Sequence, residues 1–433
     1  MLFLVSFSFN RVAICTFVRN IWMVSDRYDY LHDFDGNGLP DMPLITRTYP
    51  FNYGYPYIAF QDSLGFFTCE RVSSRWASYS LTSGDLNDDS LYDMIYIGSG
   101  TLNLLLNNGD RTFTLSTVSL GSEINHLAIR DTDTGAVIFA TDESGGLYMY
   151  DYVSASSVRL NTTCKEGLSV EDINGDGWYD VICGSSNWMN SGHIYYQLNT
   201  GSGWSSLVSI TTSPACYHGI KAVDINADGM LDVVSCAGST VYVWYNEGGS
   251  PMAFHERSYS TGSSSGCNTC EITVADFDCD GDGDILWSAG LNGGSPSVVL
   301  LENDNSAPYP NFIAHTIEPT SYTNYGIAAG LVDDDDLPDI VVGLGSTLYV
   351  FYNTTPADDS FCNPFGEDEE LGSEEFVVRD GRITFSKDEE FAVYSADGRL
   401  LMRGRGRALN LPKGLVFVKF GGKVKAVITP SRR

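Results

Sequence analysis

Short apolar runs rich in Val and Ile recur along most of this chain, separated by acidic or glycine-containing turns. Leu168-Ser-Val-Glu, Ile220-Lys-Ala-Val and Ile272-Thr-Val-Ala each precede an acidic stretch. Asp93-Met-Ile-Tyr-Ile-Gly, Asp180-Val-Ile-Cys-Gly and Asp232-Val-Val-Ser-Cys-Ala-Gly each follow one. Runs of this length, bounded by Gly and without helical periodicity, predict buried strands. A third run then ends on Asn, as in Leu104-Leu-Leu-Asn107, Val241-Tyr-Val-Trp-Tyr-Asn246 and Leu348-Tyr-Val-Phe-Tyr-Asn353. A turn such as Asn108-Gly109-Asp110 leads into a fourth, Arg111-Thr-Phe-Thr-Leu-Ser-Thr-Val118. Four strands in succession, repeated, with no helix between them, are the pattern of a β-propeller.

The acidic stretches set the count. Five share one spacing: Asp33-Phe-Asp-Gly-Asn-Gly-Leu-Pro-Asp41, Asp85-Leu-Asn-Asp-Asp-Ser-Leu-Tyr-Asp93, Asp172-Ile-Asn-Gly-Asp-Gly-Trp-Tyr-Asp180, Asp224-Ile-Asn-Ala-Asp-Gly-Met-Leu-Asp232 and Asp276-Phe-Asp-Cys-Asp-Gly-Asp-Gly-Asp284. Their starts lie 52, 87, 52 and 52 residues apart. The long gap hides a further unit at His126-Leu-Ala-Ile-Arg-Asp131-Thr-Asp133, whose turn is shortened and lacks the ninth-position Asp. A seventh follows at Leu331-Val-Asp333-Asp-Asp335-Asp-Leu-Pro-Asp339, where Leu takes the first position. These two loops are degenerate and no tight metal site is expected in either. Seven repeats predict an all-β, seven-bladed propeller over residues 1–353, with the strand at 9–18 completing the last blade.

Oxygen-bearing side chains at positions 1, 3, 5 and 9, with a turn at 6 and a carbonyl at 7, are how a short loop wraps a hard cation. The expected calcium ligands are Asp33, Asp35, Asn37, Asp41 and the Leu39 carbonyl; Asp85, Asn87, Asp89, Asp93 and the Leu91 carbonyl; and Asp172, Asn174, Asp176, Asp180 and the Trp178 carbonyl. The remaining sets are Asp224, Asn226, Asp228, Asp232 with Met230, and Asp276, Asp278, Asp280, Asp284 with Asp282. About five Ca2+ sites follow. An EF-hand is excluded, because position 12 of the first loop is Leu44 and strands flank the loops.

Charge divides the chain. Residues 1–375 hold 12 Lys/Arg against 50 Asp/Glu, and residues 376–433 hold 13 against 5. So acidic a body argues against nucleic acid as a partner. No stretch is apolar enough to span a bilayer. Met1-Leu-Phe-Leu-Val-Ser-Phe-Ser-Phe-Asn-Arg11 lacks the basic start and cleavage site of an export signal, so such a signal is expected to be missing from this sequence. Ten cysteines fit an oxidising compartment. Their repeated placement predicts Cys164–Cys183 and Cys216–Cys236 disulfides, with Cys267–Cys270 a further candidate, and buried free thiols the alternative reading of each pair.

The repeats resemble the FG-GAP/VCBS class of calcium-loop propeller repeats, the type that also builds the head of integrin alpha chains, over about residues 9–360. That resemblance implies calcium on one face in a mainly structural role. The class includes adhesins, lectin-like modules and some lyases. Residues 354–375 read as an acidic linker. The tail, 376–433, reads as a small β-sandwich of six or seven strands. It is similar to the C-terminal sorting domain of the bacterial type IX secretion system through Val393-Tyr394, Asp397-Gly398-Arg399-Leu400, Leu411-Pro-Lys-Gly414 and Gly422-Lys-Val-Lys-Ala-Val-Ile428. This resemblance implies the secretion machinery as a partner and a bacterial cell-surface or secreted location.

Catalytic signatures of hydrolases, metalloproteases and nucleotide enzymes are absent. The sequence reading is therefore a non-catalytic binding or adhesion module for extracellular polysaccharide or protein. The alternative is a polysaccharide lyase or hydrolase, with His193 or Tyr217-His218 nearest to a base. Trp178, Trp188, Trp204, Trp244 and Trp287 could stack on sugars, although blade packing accounts for most of them.

Overall fold

The computed structural model describes residues 7–355 except 17–19, 23–30, 48–53, 79, 121–122, 133–134, 187–190, 265–269, 290–293, 323, 334 and 336, together with five later strands between 376 and 429. Side chains of those later strands are outside the description, as are Trp188 and Cys267.

Seven four-stranded antiparallel sheets make up the first unit, Met1–Pro356. Blade 2 shows the common plan: Leu81–Gly84, Asp93–Gly98, Thr101–Asn107 and Phe113–Val118, paired in that order. The second strand of blade 2 is buried throughout, whereas its fourth is exposed at most positions. Blades stack face to face, so a middle strand has apolar neighbours on both sides and reads as an unbroken apolar run. Only the outermost strand has water beside it.

Each core lies between blades. Val234, Cys236, Val241 and Tyr245 of blade 5 pack with Ile272, Ile285, Trp287 and Leu301 of blade 6. The ring closes on the same principle, because Val341, Leu348 and Val350 of blade 7 share a core with Leu44, Ile58 and Phe60 of blade 1. Blade 7 draws its outer strand from the other end of the chain: Phe9–Thr16 runs antiparallel to Thr347–Asn353. A Cys15–Cys69 disulfide then ties this strand to the outer strand of blade 1. The ladder is what joins the two ends of the ring, and the disulfide fixes its N-terminal strand to blade 1.

The other disulfides partly correct the sequence reading. Cys164–Cys183 forms within blade 4. Cys236, however, bonds Cys270 across the blade 5–blade 6 boundary, and Cys216 is a buried free thiol. This pairing also excludes Cys267–Cys270. The reason is geometric: Cys236 belongs to the apolar cluster shared with blade 6, where Cys270 precedes the innermost strand. Cys279 is disulfide-bonded as well.

Blade 3 has no nine-residue acidic loop. Its first two strands pair out to Thr132 and Gly135, which leaves no room for a nine-residue turn. In the second unit, Ala357–Arg433, strands Phe376–Arg379, Arg382–Ser395, Leu400–Asn410, Gly414–Phe420 and Lys423–Thr429 pair into one five-stranded sheet. A sandwich of six or seven strands was expected from the sequence; the described strands number five and share a single hydrogen-bonded sheet.

Candidate metal-binding loops

Every acidic loop joins the innermost strand of a blade to its second strand, so all of them emerge on one face of the ring. Position 2 anchors each loop from below. Phe34, Leu86, Ile173, Ile225, Phe277 and Val332 are all buried in interblade cores. Above them the chain curls around the first Asp. In blade 5, Asp224 accepts the amides of Asp228 (3.0 Å) and Gly229 (2.8 Å), and Asp228 accepts that of Met230 (2.9 Å). The same bonds recur from Asp172 and Asp176, and from Asp85 and Asp89. Positions 4 and 6 take left-handed backbone, as at Gly175 (φ 75°) and Gly177 (φ 89°). Asp88, Ser90, Ala227 and Cys279 bear that conformation without being glycine. A loop that pays this conformational cost at such sites has its curvature fixed by the carboxylate at its centre.

Position 9 is the structural keystone. Asp41, Asp93, Asp180, Asp232, Asp284 and Asp339 are fully buried. In five of these loops one oxygen accepts the position 2 amide and the other an amide at the end of the third strand. For Asp93 these are Leu86 N at 2.9 Å and Asn107 N at 2.8 Å. Burial pushes the Asp41, Asp93, Asp180, Asp232 and Asp339 carboxyls up to about 7 against the backbone bonds that favour ionisation, and carboxylates at the other loop positions add to the rise.

Carboxylates converge in two of the five loops expected to hold calcium. Oxygens of Asp33, Asp35 and Asp41 lie within 4.8 Å of one another, as do those of Asp276, Asp278 and Asp284. A third set, Asp333, Asp335 and Asp339, converges in the loop read as degenerate. Leu331 leaves that loop without its central carboxylate, yet Asp339 is fixed by Val332 and Asn353 as in the intact loops. In blade 6, Asp278 Oδ1 and both oxygens of Asp282 are buried and accept no hydrogen bond. Burial lifts Asp278 to about 7 and Asp282 to about 8, with neighbouring aspartates adding to both. Buried carboxylate oxygens crowded together without donors fit a hard divalent cation, which prefers oxygen ligands.

Three features of this face were not anticipated. Arg111, from the outer hairpin of blade 2, donates through Nε to Asp35 Oδ2 of the blade 1 loop at 2.9 Å and pairs through Nη2 with the same oxygen. The Asn that ends the third strand reaches across blades. Asn107 Nδ2 donates to Phe34 O at 2.7 Å, Asn303 to Ile225 O at 2.9 Å and Asn353 to Phe277 O at 2.8 Å. In blade 1, Gln61 fills that role and donates to Val332 O of blade 7 at 2.9 Å.

At the opposite ends of the inner strands, charged groups of adjacent blades meet. His126 Nε2 lies 2.6 Å from Glu166 Oε2, and His218 Nδ1 lies 3.7 Å from the same oxygen. Burial opposes the charge on His126, but Glu166 outweighs it and raises the imidazole; burial likewise opposes the Glu166 charge, and His126 wins and lowers the carboxyl. Of the residues considered as a catalytic base, His218 is thus enclosed beside Glu166, and Tyr217 is buried with its hydroxyl donating to Ser213 O at 2.9 Å. His193 Nδ1 stands 3.0 Å from Thr211 Oγ1. Trp244 and Trp287 are core residues and Trp204 packs edge-on against Phe139. Trp178 alone of the described candidates projects into solvent, half exposed beside Tyr179.

Comparison with known proteins agrees with this construction. Residues 172–235 and 224–287 match the FG-GAP-like repeat. That stretch, the loops and second strands of blades 4 to 6, is similar to FG-GAP repeats. Over 116 residues the chain is 30% identical to human integrin alpha-7 and 29% to the rat protein. These matches cover 24% of this chain and about a tenth of the length of the curated relatives. Among solved structures, BBS1N, crystallised in complex with ARL6DN, aligns with a TM-score of 0.52 at 10% identity, over 79% of this chain and 96% of its own. At that identity the likeness shows the propeller fold alone. Among the described residues no helix is long and apolar enough to cross a membrane.

Proposed function

We propose that this protein is a secreted or cell-surface binding module whose propeller is clasped by calcium. The observation that carries the reading is the repeated loop, whose carboxylates converge in blades 1, 6 and 7 and in blade 6 include buried oxygens that lack donors. Asp33, Asp35, Asn37 and Asp41 would hold the ion in blade 1, with the equivalent residues of the loops at 85–93, 172–180, 224–232 and 276–284, each aided by its position 7 carbonyl. Calcium supplies positive charge that neutralises these clusters and fixes the loops. The protein's own groups do the rest: position 9 anchors each loop to the sheet, and position 1 sets its curl. Disulfides within and between blades accord with an oxidising, extracellular setting. The basic C-terminal unit is proposed to direct export and anchoring as a type IX-like sorting domain. The partner is an extracellular protein or polysaccharide, held by loops of a rigid ring without bond cleavage.

The test is to incubate the purified chain with immobilised extracellular proteins and with neutral and acidic polysaccharides, with calcium or with chelator. New reducing or unsaturated ends are followed in the same samples. Calcium-dependent retention without new ends is the expected result. New chain ends would replace this reading with an enzymatic one.

A further inference from the structure

The interblade bonds described above form an ordered series. Blade 1 reaches blade 7 through Gln61 and Val332, and blade 7 reaches blade 6 through Asn353 and Phe277. Blade 6 reaches blade 5 through Asn303 and Ile225, and blade 5 reaches blade 4 through Asn246 Nδ2 and Ile173 O at 3.3 Å. Asn107 joins blade 2 to blade 1 through Phe34. The series therefore runs unbroken from blade 4 through 5, 6, 7 and 1 to blade 2. Among the described residues this Asn and Gln series stops on either side of blade 3, which lacks a nine-residue acidic loop and reaches blade 4 instead through Arg130, donating to Val170 O and pairing with Glu171.

Each linker touches two loops at once. Asn246 is held by its own loop, where its backbone amide donates to Asp232 Oδ1 at 2.7 Å and its side chain donates to Leu231 O at 3.1 Å. The same Nδ2 donates to the second residue of the neighbouring loop, Ile173, directly after Asp172. Asn303 repeats this arrangement with Asp284, Gly283 and Ile225. An amide fixed by one loop thus fixes the carbonyl at the start of the next. When a cation orders one loop, the next has less conformational freedom left to lose on binding its own, which is positive coupling without any change of shape.

We infer that Gln61, Asn107, Asn246, Asn303 and Asn353 are coupling residues that make the acidic loops fill cooperatively around the ring, with blade 3 as the break. The inference rests on the reading that the loops hold calcium, and its test separates the two. Trp178, at position 7 of the blade 4 loop and half exposed, serves as the local antenna for terbium, a luminescent stand-in for calcium. Terbium emission excited through tryptophan, and lost in Trp178→Phe, reports that loop alone. Emptying the adjacent loop with Asp224→Ala is expected to raise the terbium concentration for half-filling of the blade 4 loop about five-fold or more. In an Asn246→Ala background the same Asp224→Ala change is expected to have less than a two-fold effect. If Asn246→Ala fails to fold, the pair Asn303→Ala and Asp276→Ala, read at Trp178, tests the next link. An unchanged midpoint in Asp224→Ala, or an equal shift with and without Asn246, overturns the coupling while leaving the calcium reading intact. Absence of any calcium-displaceable terbium signal overturns the calcium reading and the coupling with it.

Discussion

Replacing Asp93 by alanine is expected to destabilise the propeller by about 4 kcal/mol even in chelator, before any loss of bound calcium. Asp93 is fully buried, and its two oxygens accept the amides of Leu86 and Asn107. Alanine leaves both donors buried without acceptors, at about 1–3 kcal/mol each, and leaves a cavity besides. Asp85→Ala separates this anchoring role from metal binding. Asp85 is half-buried and bonds only within its loop, so its loss in chelator should cost about 1 kcal/mol. In calcium it should additionally forfeit the stabilisation that the ion gives to that loop. Urea unfolding of both variants, with calcium and with chelator, reads the difference. Equal losses for the two variants in chelator would remove position 9 from its proposed place as the anchor.

Calcium should raise the thermal midpoint on the order of 10 °C at pH 8 and much less at pH 5. The sign follows from the position 9 carboxyls. Their folded value is about 7 at Asp41, Asp93, Asp180, Asp232 and Asp339, against an ordinary value of 3.8. A carboxyl raised by folding favours the folded state fully below its unfolded value, and that contribution is lost as pH climbs through about 7. The metal-free ring therefore weakens between pH 4 and 8. A cation replaces the proton as the neutralising charge, so its benefit grows over the same interval. Thermal scans at pH 5 and pH 8, with and without calcium, measure it. A calcium shift that is larger at pH 5 would contradict this account.

Most of the fold was legible because a propeller repeats one local rule. The middle strands are buried on both faces, and runs such as Asp93-Met-Ile-Tyr-Ile-Gly announce this directly. The loops were legible because each ligand set lies within nine residues. What escaped depends on contacts between blades. Cys236 was paired with Cys216 by sequence spacing, but its side chain shares a core with the following blade and meets Cys270. The Asn closing each third strand was visible at Asn107, Asn246 and Asn353, yet its acceptors lie 73 to 76 residues away. Gln61 carried no signal, since nothing in Pro56–Gln61 resembles the Asn-terminated runs. Glu166, His126 and His218 come from three blades and meet only when the inner strands converge. The loop at 331–339 keeps part of the arrangement. Judged by Leu331 alone it reads as degenerate, but its remaining carboxylates still converge because the anchoring bonds at Asp339 are intact.

The central claim is that these loops hold calcium, and the direct measurement is the amount bound. Equilibrium dialysis of the purified chain at pH 7.5, followed by metal analysis of protein and dialysate, gives ions per chain. The account predicts about five, one for each intact loop, falling by about one in Asp172→Ala. Fewer than one ion per chain, or an unchanged count in that variant, would contradict it.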